Sequence, residues 1–261
     1  METTNRTKQN WISFKTILNK EITRINRIWT QTLLPSVMTS ALYFIVFGSL
    51  IGSRVGEVGG VDYMTFIVPG LIMMAVITNS FTNVAGSFFG NKFQKSIEEL
   101  LVSPTPNSVI IAGVISGGLY RGLLVGFFVT LVSMFFTSLS VFNMFILISS
   151  VVLTSSLFSL FGLVVGIKAT KFDDIGIIPL FVLTPLTYFG GVFFSIDMLP
   201  TMWQNLSLIN PILYMVNLFR YGFLGTSDVS VLFSYTMILL TIVIFYVWSY
   251  RLLKTSKGMR A

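Results

Sequence analysis

Residues 141–167 read VFNMFILISSVVLTSSLFSLFGLVVGI, and no side chain in this stretch is charged. A helix needs about 20 mainly apolar residues to cross the ~30 Å hydrocarbon core of a bilayer. The stretch is therefore long enough to span a membrane, with its ends tilted, kinked or lying in the interface. We predict a membrane-spanning helix here.

The rest of the chain has the same character. Of its 261 residues, 54% are hydrophobic and 10% are charged, whereas an average soluble domain is about 25% charged. We predict an all-α integral membrane fold with six transmembrane helices, near residues 32–52, 63–85, 107–136, 141–167, 175–196 and 229–252. No linker or repeat separates them, so we expect a single transmembrane domain over residues 1–261.

The 17 Lys and Arg residues are divided unevenly between the two sides of this predicted fold. With the N-terminus in the cytoplasm, the cytoplasmic segments contain fourteen of them, namely Arg6, Lys8, Lys15, Lys20, Arg24, Arg27, Lys92, Lys95, Lys168, Lys171, Arg251, Lys254, Lys257 and Arg260. The exterior segments contain Arg54 and Arg220. The positive-inside rule then places both termini in the cytoplasm. The net charge of +7 suits an anionic membrane surface and does not indicate binding to nucleic acid.

Residues 11–29 have the pattern of an amphipathic helix. Its apolar face consists of Trp11, Phe14, Leu18, Ile22, Ile25 and Trp29. Lys20, Arg24 and Arg27 lie on the opposite face. This pattern favours a helix in the headgroup layer of the membrane, because a hydrophobic span follows at once. The alternative is a soluble amphipathic helix packed on a partner.

The exterior segment near residues 197–228 is too apolar for a free loop. Pro200 and Pro211 divide it into short pieces, since proline interrupts a helix. We expect short re-entrant helices that dip back into the outer interface and are tolerated there by contact with protein.

The cytoplasmic segment between the second and third spans carries mixed charge. Ile97, Leu100 and Leu101 form an apolar ridge, with Glu98 and Glu99 beside it. The Ser103–Pro104 pair ends the predicted helix, because the residue before a proline avoids helical geometry. Such a short helix could press into a groove of a soluble partner. It could equally be a solvated loop whose charges only fix the topology.

Several kinds of catalytic site are excluded by composition. The chain has no Cys and no His, which removes Cys/His metal sites, the Cys nucleophile and His-based triads. The phosphate-binding loop G-x-x-x-x-G-K-[ST] is absent; its nearest imitation, Lys95-Ser96, follows Gln94 instead of Gly. We therefore expect no catalytic residue, bound cofactor or metal, and any nucleotide energy must come from another chain. All ten acidic residues fall in predicted loops or termini, which argues against a carboxylate relay within the membrane.

Arg121 is the one charge placed inside a predicted span. A charge on a transmembrane helix costs at least ~2.5 kcal/mol by insertion scales, which makes it a functional candidate. The alternative is an arginine that extends to the cytoplasmic surface, because the third span is long enough to begin late.

Glycines repeat at intervals of four residues in the third and fourth spans, at Gly118, Gly122 and Gly126, and at Gly162 and Gly166. Small residues at this spacing let helix backbones approach closely. The pattern predicts tight helix contacts, either within one chain or between two.

Two stretches carry a family resemblance. Residues 185–200 read PLTYFGGVFFSIDMLP and are followed by Trp203 and Asn210-Pro211, while residues 95–104 read KSIEELLVSP. Together with the six predicted spans, they resemble the small bacterial members of the ABC-2 type permease family, the membrane subunits of ATP-driven exporters. The resemblance covers essentially the whole chain.

The resemblance implies a set of partners and sites. Two permease chains would pair in the bacterial inner membrane, and two ABC ATPase subunits, which bind ATP and Mg, would dock beneath them. The implied coupling residues are Lys95, Ile97, Glu98, Glu99, Leu100, Leu101, Ser103 and Pro104. The implied re-entrant exterior residues are Asp197, Leu199, Pro200, Trp203, Asn210 and Pro211. The substrate would be amphipathic, lipid-linked, glycan or drug-like.

Two other functions remain open on the sequence. A self-contained secondary carrier or channel would transport without any ATPase. A membrane scaffold would transport nothing and stimulate no partner.

Overall fold

The computed structural model describes residues 2–255, and it describes their side chains except at residues 2–5, 49, 50, 53 and 101. The helices are Glu2–Arg27 (α1), Trp29–Thr32 (α2), Leu34–Ile45 (α3), Gly52–Val55 (α4), Tyr63–Phe93 (α5), Ser96–Val102 (α6), Asn107–Ser133 (α7), Met144–Lys168 (α8), Phe172–Ile178 (α9), Thr184–Tyr188 (α10), Thr201–Ile209 (α11), Pro211–Leu224 (α12) and Val231–Thr255 (α13). Wider π-helical turns occupy Val46–Ile51 and Pro179–Leu183, and a 3₁₀ turn occupies Ile196–Met198. Strands β1 (Glu57–Val58) and β2 (Val61–Asp62) form a small antiparallel hairpin.

The predicted all-helical membrane fold is confirmed. Within residues 2–255, five helical stretches are long and apolar enough to cross a bilayer, at Trp29–Gly48, Tyr63–Phe93, Asn107–Ser133, Met144–Lys168 and Val231–Thr255. Of these, α5 is the longest, with 31 residues and a length of roughly 46 Å at 1.5 Å per residue. It extends beyond the predicted end at residue 85, because Gly86 and Gly90 do not interrupt it.

The predicted fifth span differs from the structure. Helical backbone runs through α9, the π turn and α10, but it ends at Tyr188 and not at residue 196. Pro179 lacks the N–H that an α-helix needs, and the π turn begins there. The helix ends before Gly190 and Gly191, and Gly191 has a φ of 71°, which glycine adopts without strain. The count of six spans stays a prediction.

The core of the bundle forms around α5, which packs against α7, α8 and α12. The predicted glycine faces lie at these contacts within one chain. A Cβ at Gly162 would lie 2.5 Å from the Phe81 carbonyl oxygen, and one at Gly166 would lie 3.1 Å from that of Ala85. Any larger residue at Gly162 would therefore push α8 away from α5.

Short helices form on both sides of Pro211, as predicted for the exterior segment. Helix α11 begins directly after Pro200, and Asn210 accepts a hydrogen bond from the Ile212 N–H at 3.0 Å to begin α12. Apart from Pro211, Tyr221 and Leu224, every residue of α12 is buried, whereas α11 exposes large apolar side chains such as Met202 and Ile209. That α11 enters the outer interface stays a prediction.

Candidate coupling surface and polar network

Helix α6 lies where α5 ends, after a sharp reversal of the chain. Lys95 adopts the left-handed conformation with a φ of 60°, and the Ser96 hydroxyl donates to the Asn91 carbonyl at 3.2 Å. At the other end, Ser103 is extended before Pro104, and its hydroxyl donates to the Leu100 carbonyl at 2.6 Å. The structure therefore ends α6 at the Ser103–Pro104 pair that the sequence indicated.

Two residues of the apolar ridge of α6, Ile97 and Leu100, face the bundle. Ile97 is 3% exposed and belongs to a buried cluster with Phe88 and Ile110, against which Leu100 packs. The side chain of Leu101 lies outside the described set. The face directed away from the bundle presents Glu98, Glu99 and the 87% exposed Val102.

The beginning of α9 lies beside the end of α5. Lys92 donates to the carbonyls of Ile167 and Ala169, at 3.1 and 2.9 Å, and so closes the C-terminal end of α8. Phe93 and Phe172 are both exposed and meet edge to face, with ring centroids 5.2 Å apart. This end of the bundle, which we call the α6 end, therefore combines carboxylates with exposed aromatic rings.

Asp174 shapes the start of α9. Its carboxylate accepts hydrogen bonds from the Thr170 N–H at 2.8 Å, the Lys171 N–H at 3.0 Å and the Thr170 hydroxyl at 3.0 Å. These bonds, that of the Thr170 N–H first, hold the pKa of Asp174 below its ordinary value. The group therefore stays ionised at neutral pH.

Helix α1 packs on α7 through a stripe that the sequence analysis did not identify. Ile17, Glu21 and Ile25 are buried, and a Cβ placed on Gly113 or Gly117 would collide with the first two. Of the predicted apolar face, Ile25 is buried, while Trp11 and Trp29 are more than half exposed. Helix α1 is thus attached to the bundle along one side and leaves aromatic residues free for lipid.

Glu21 lies in the N-terminal segment, before the first candidate span, as the sequence placed it, but its side chain is buried. It is 3% exposed, accepts from Arg24 Nη2 at 2.7 Å, and accepts from the Ser87 hydroxyl of α5 at 2.7 Å. A second link joins Thr105, after α6, to Ser13 of α1 at 3.2 Å. Helices α1, α5 and α6 are therefore connected by side-chain hydrogen bonds.

A polar stripe on α5, consisting of Asn79, Asn83, Ser87 and Asn91, organises these contacts. The sequence analysis missed it, although polar residues repeated every four positions in an apolar helix were the available signal. Besides the bond of Ser87 to Glu21, Arg24 Nη2 donates to Asn83 Oδ1 at 2.8 Å, and Lys20 Nζ donates to Asn91 Oδ1 at 3.0 Å.

Arg121 binds the first member of this stripe. Its Nη2 and Nε donate to Asn79 Oδ1 at 2.8 and 3.2 Å, and Asn79 in turn bonds to Ser36 of α3 at 2.9 Å. Both residues lie near the middle of long helices. The guanidinium thus bonds inside the bundle instead of extending along α7 towards its end, and a functional role for it stays a prediction.

Arg220, counted in the sequence analysis as an exterior charge, is 1% exposed. Its Nη2 donates to the Gly191 carbonyl at 2.6 Å, its Nε donates to the Phe66 carbonyl at 3.3 Å, and its guanidinium lies 3.8 Å from the centre of the Phe66 ring. Because Phe66 lies at the opposite end of α5 from Ser87, we call this region the α12 end.

The predicted exterior residues have separate surroundings. Asn210 is buried and donates to the Leu186 carbonyl at 2.6 Å, while Trp203 stacks on Phe189 with centroids 5.3 Å apart. The Leu199 carbonyl accepts from Gln204 at 2.8 Å. Asp197 and Pro200 are exposed, and Pro211 is half-buried. These residues cap short helices, and the structure does not gather them into one site.

Comparison with known proteins gives this geometry a context. Residues 12–224 match the ABC-2 type transporter family. The chain is 54% identical over 251 residues to the inner membrane transport permease YadH of Escherichia coli strain K12, covering 96% of this chain and 98% of that protein, and it matches YadH of Shigella flexneri equally well. It is also 23% identical over 231 residues to nodulation protein J of Rhizobium leguminosarum bv. viciae, covering 87% of this chain and 89% of that protein.

Proposed function

The chain belongs to the ABC-2 type transporter family, and from this membership we propose that it is the permease subunit of an ATP-driven exporter. In this proposal it pairs with a second copy of itself and is driven by a separate ABC ATPase subunit, which binds ATP and Mg. Both termini lie in the cytoplasm, and the α6 end faces the ATPase.

The observation that carries the proposal is the two-sided arrangement of α6. Ile97 fixes the helix to the bundle, while Glu98, Glu99 and Val102 point away from it. An exposed valine between carboxylates matches the kind of surface that a soluble partner covers, with an apolar contact surrounded by charges that orient it. A segment that served only as a solvated loop would have no reason to be packed on one side and to expose a valine beside carboxylates on the other.

The connections of α6 suggest how a movement of the ATPase would be transmitted to the membrane-spanning helices. Only Gln94 and Lys95 separate α5 from α6, and Thr105 bonds to Ser13 of α1. A displacement of α6 would therefore move the ends of α5 and α1 together. ATP can favour the outward-facing arrangement only if the ATPase binds that arrangement more tightly.

The charge distribution supports the orientation. Most described cations of the fourteen expected in the cytoplasm lie in α1, around α6, or at the ends of α8 and α13. Lys257 and Arg260 lie outside the described residues. The YadH relatives are named as inner membrane proteins, and we propose the same location for this chain, with an amphipathic, lipid-linked, glycan or drug-like substrate.

The test is co-purification with the ABC ATPase encoded beside the gene. In the double variant Glu98→Lys/Glu99→Lys, we expect binding of the ATPase to weaken at least tenfold and its stimulation by the permease to disappear, because two attractive charges become repulsive. Binding is measured by pull-down, and stimulation is measured as phosphate release in vesicles.

The matched control is Glu57→Lys, an exposed acid in β1 at the α12 end. It should change neither quantity. Unchanged binding and stimulation in the double variant would overturn the assignment of α6. Uphill solute accumulation by the purified chain alone would favour a secondary carrier, and intact binding without any stimulation by the wild-type chain would favour a scaffold.

A further inference from the structure

A recess opens between α1 and α5 at the α6 end of the bundle. Its volume is about 690 Å³, within the range of small-molecule binding sites. It is lined by Asn19, Lys20, Thr23, Arg24 and Arg27 of α1, by Ile28 after it, and by Gly86, Ser87, Gly90, Asn91 and Gln94, of which all but Gln94 belong to α5. Every charged residue in this lining is a cation.

Two glycines form the floor of the recess. A Cβ at Gly86 or at Gly90 would meet no atom within 4 Å, whereas one at Gly162 would collide with backbone. Glycine weakens a helix relative to alanine, so packing against neighbouring protein gives no reason for glycine at these two positions. They leave α5 without side chains where the cations of α1 face it.

The positive charge of the recess is incompletely balanced. Among the described residues, the ion pair of Glu21 with Arg24, at 2.7 Å, is the one that involves a cation of the recess. Lys20 bonds to the neutral amide of Asn91. Lys20 and Arg27 are exposed, and within the same described set neither forms an ion pair. Cations that lack a carboxylate partner are the groups that bind phosphate.

The position of the recess relative to the membrane narrows the ligand. It lies beside the amphipathic helix α1, in which Trp11 is exposed, and the next helix begins at the exposed Trp29. Exposed aromatic residues on such a helix are typical of helices that lie at headgroup depth.

We propose that this recess binds the phosphate group of an anionic amphiphile that enters from the inner leaflet. The inference rests on the proposed function for its orientation and narrows the substrate class of that transporter to molecules with a phosphate headgroup. Lys20 and Arg27 contact the phosphate, Arg24 supplies Nη donors beside it, and Gly86 and Gly90 leave room for the headgroup.

The experiment measures binding of phosphatidylglycerol to the purified chain by native mass spectrometry, with phosphatidylcholine as the neutral lipid. We expect preference for phosphatidylglycerol, reduced at least tenfold in Lys20→Gln/Arg27→Gln. The matched control, Lys8→Gln/Lys15→Gln, removes the same charge from the same helix outside the recess and should change affinity less than twofold. Equal losses in the two pairs would overturn the proposal, because general attraction to α1 would then explain the binding.

A steric pair provides an independent measurement. Gly90→Leu fills open space and should weaken phosphatidylglycerol binding at least fivefold, while Gly90→Ala should retain it. Retained binding in Gly90→Leu would place the lipid elsewhere and overturn the proposal. If millimolar glycerol 1-phosphate displaces phosphatidylglycerol, the recess is an anion site and the proposal that a lipid supplies its phosphate is overturned. If it does not displace the lipid, the lipid is supported as the ligand.

The lipid-binding experiment and the test of the proposed function can succeed or fail independently. Lipid binding is measured without an ATPase, and Glu98→Lys/Glu99→Lys should leave it unchanged. Unchanged ATPase binding and stimulation in Glu98→Lys/Glu99→Lys, with intact lipid preference, would count against the assignment of α6 alone. Loss of lipid preference with intact coupling would count against the recess alone.

Discussion

Arginine side chains have different surroundings at the two ends of α5. At the α12 end, Arg220 is buried, held by two backbone carbonyls and covered by the Phe66 ring. At the α6 end, Arg24 and its neighbours Lys20 and Arg27 line a recess that remains open. The same kind of charge therefore fixes structure at one end and remains available to a ligand at the other.

The difference follows from what each cation faces. Arg220 lies near Asp228, whose carboxylate accepts from the Ser195 hydroxyl and the Ile196 N–H, at 2.9 and 3.2 Å. In the recess, Arg24 pairs with Glu21 at 2.7 Å, but Lys20 and Arg27 form no ion pair among the described residues. Under the proposed function, the α12 end would be the firmly packed outer end and the α6 end would be the accessible inner end.

The largest effect should come from removing the buried cation. Arg220→Ala leaves the Gly191 and Phe66 carbonyls without their donors in a dry environment, and each bond to a charged group is worth about 1.5–3 kcal/mol. We expect a loss of about 3–5 kcal/mol and a fall in Tm of roughly 10 °C, measured by scanning fluorimetry in detergent.

Arg54 provides the control for that experiment, because it is exposed at the same end of the bundle. Arg54→Ala should change stability by no more than about 0.5 kcal/mol. If Arg220→Ala were as mild as Arg54→Ala, the contrast between the two ends of α5 would fail.

An intermediate effect is expected at Glu21. Glu21→Ala removes the acceptor of Arg24 and Ser87, but the Arg24 side chain is 31% exposed, so water replaces part of the lost interaction. We expect a loss of about 1–2 kcal/mol, together with faster hydrogen exchange in α1, since this residue joins α1 to α5.

The exposed acid Glu57 again serves as the comparison, with no change expected in either quantity. Hydrogen exchange that stayed slow in α1 of the Glu21→Ala variant would show that Ile17 and Ile25 hold the helix without the polar link.

The sequence could predict those features that depend on residues close together in the chain, but not those that depend on residues far apart in it. Runs of apolar residues predicted the all-helical membrane fold, and Pro104 and Pro211 marked helix boundaries, because hydrophobic length and proline geometry act locally. The partners of Arg220 and Glu21 could not be predicted, since Gly191 and Ser87 lie far from them in the sequence and only the packing of helices brings them together.

The coupling segment was predictable in part for the same reason. Its ends follow from Ser103-Pro104 and from the end of α5, but which face of α6 turns inward depends on the cluster around Phe88 and Ile110. The sequence located the apolar ridge but left its orientation open. Arg121 shows the same limit. The sequence left open whether its guanidinium acts inside the bundle or extends to the cytoplasmic surface, and the answer depends on Asn79 of α5 lying within hydrogen-bond distance.

The smallest effect on stability should come from the cations of the recess themselves. Lys20 and Arg27 are exposed, lie on one helix with Arg24, and repel one another more than any described carboxylate offsets. Lys20→Gln/Arg27→Gln should therefore leave Tm within roughly 2 °C of the wild type, with any small gain largest at low salt, where repulsion is least screened. Scanning fluorimetry at two salt concentrations measures both. A fall in Tm comparable to that of Arg220→Ala would mean that these cations hold α1 in place. The recess would then result from packing alone, and charged residues would have a structural role at both ends of α5.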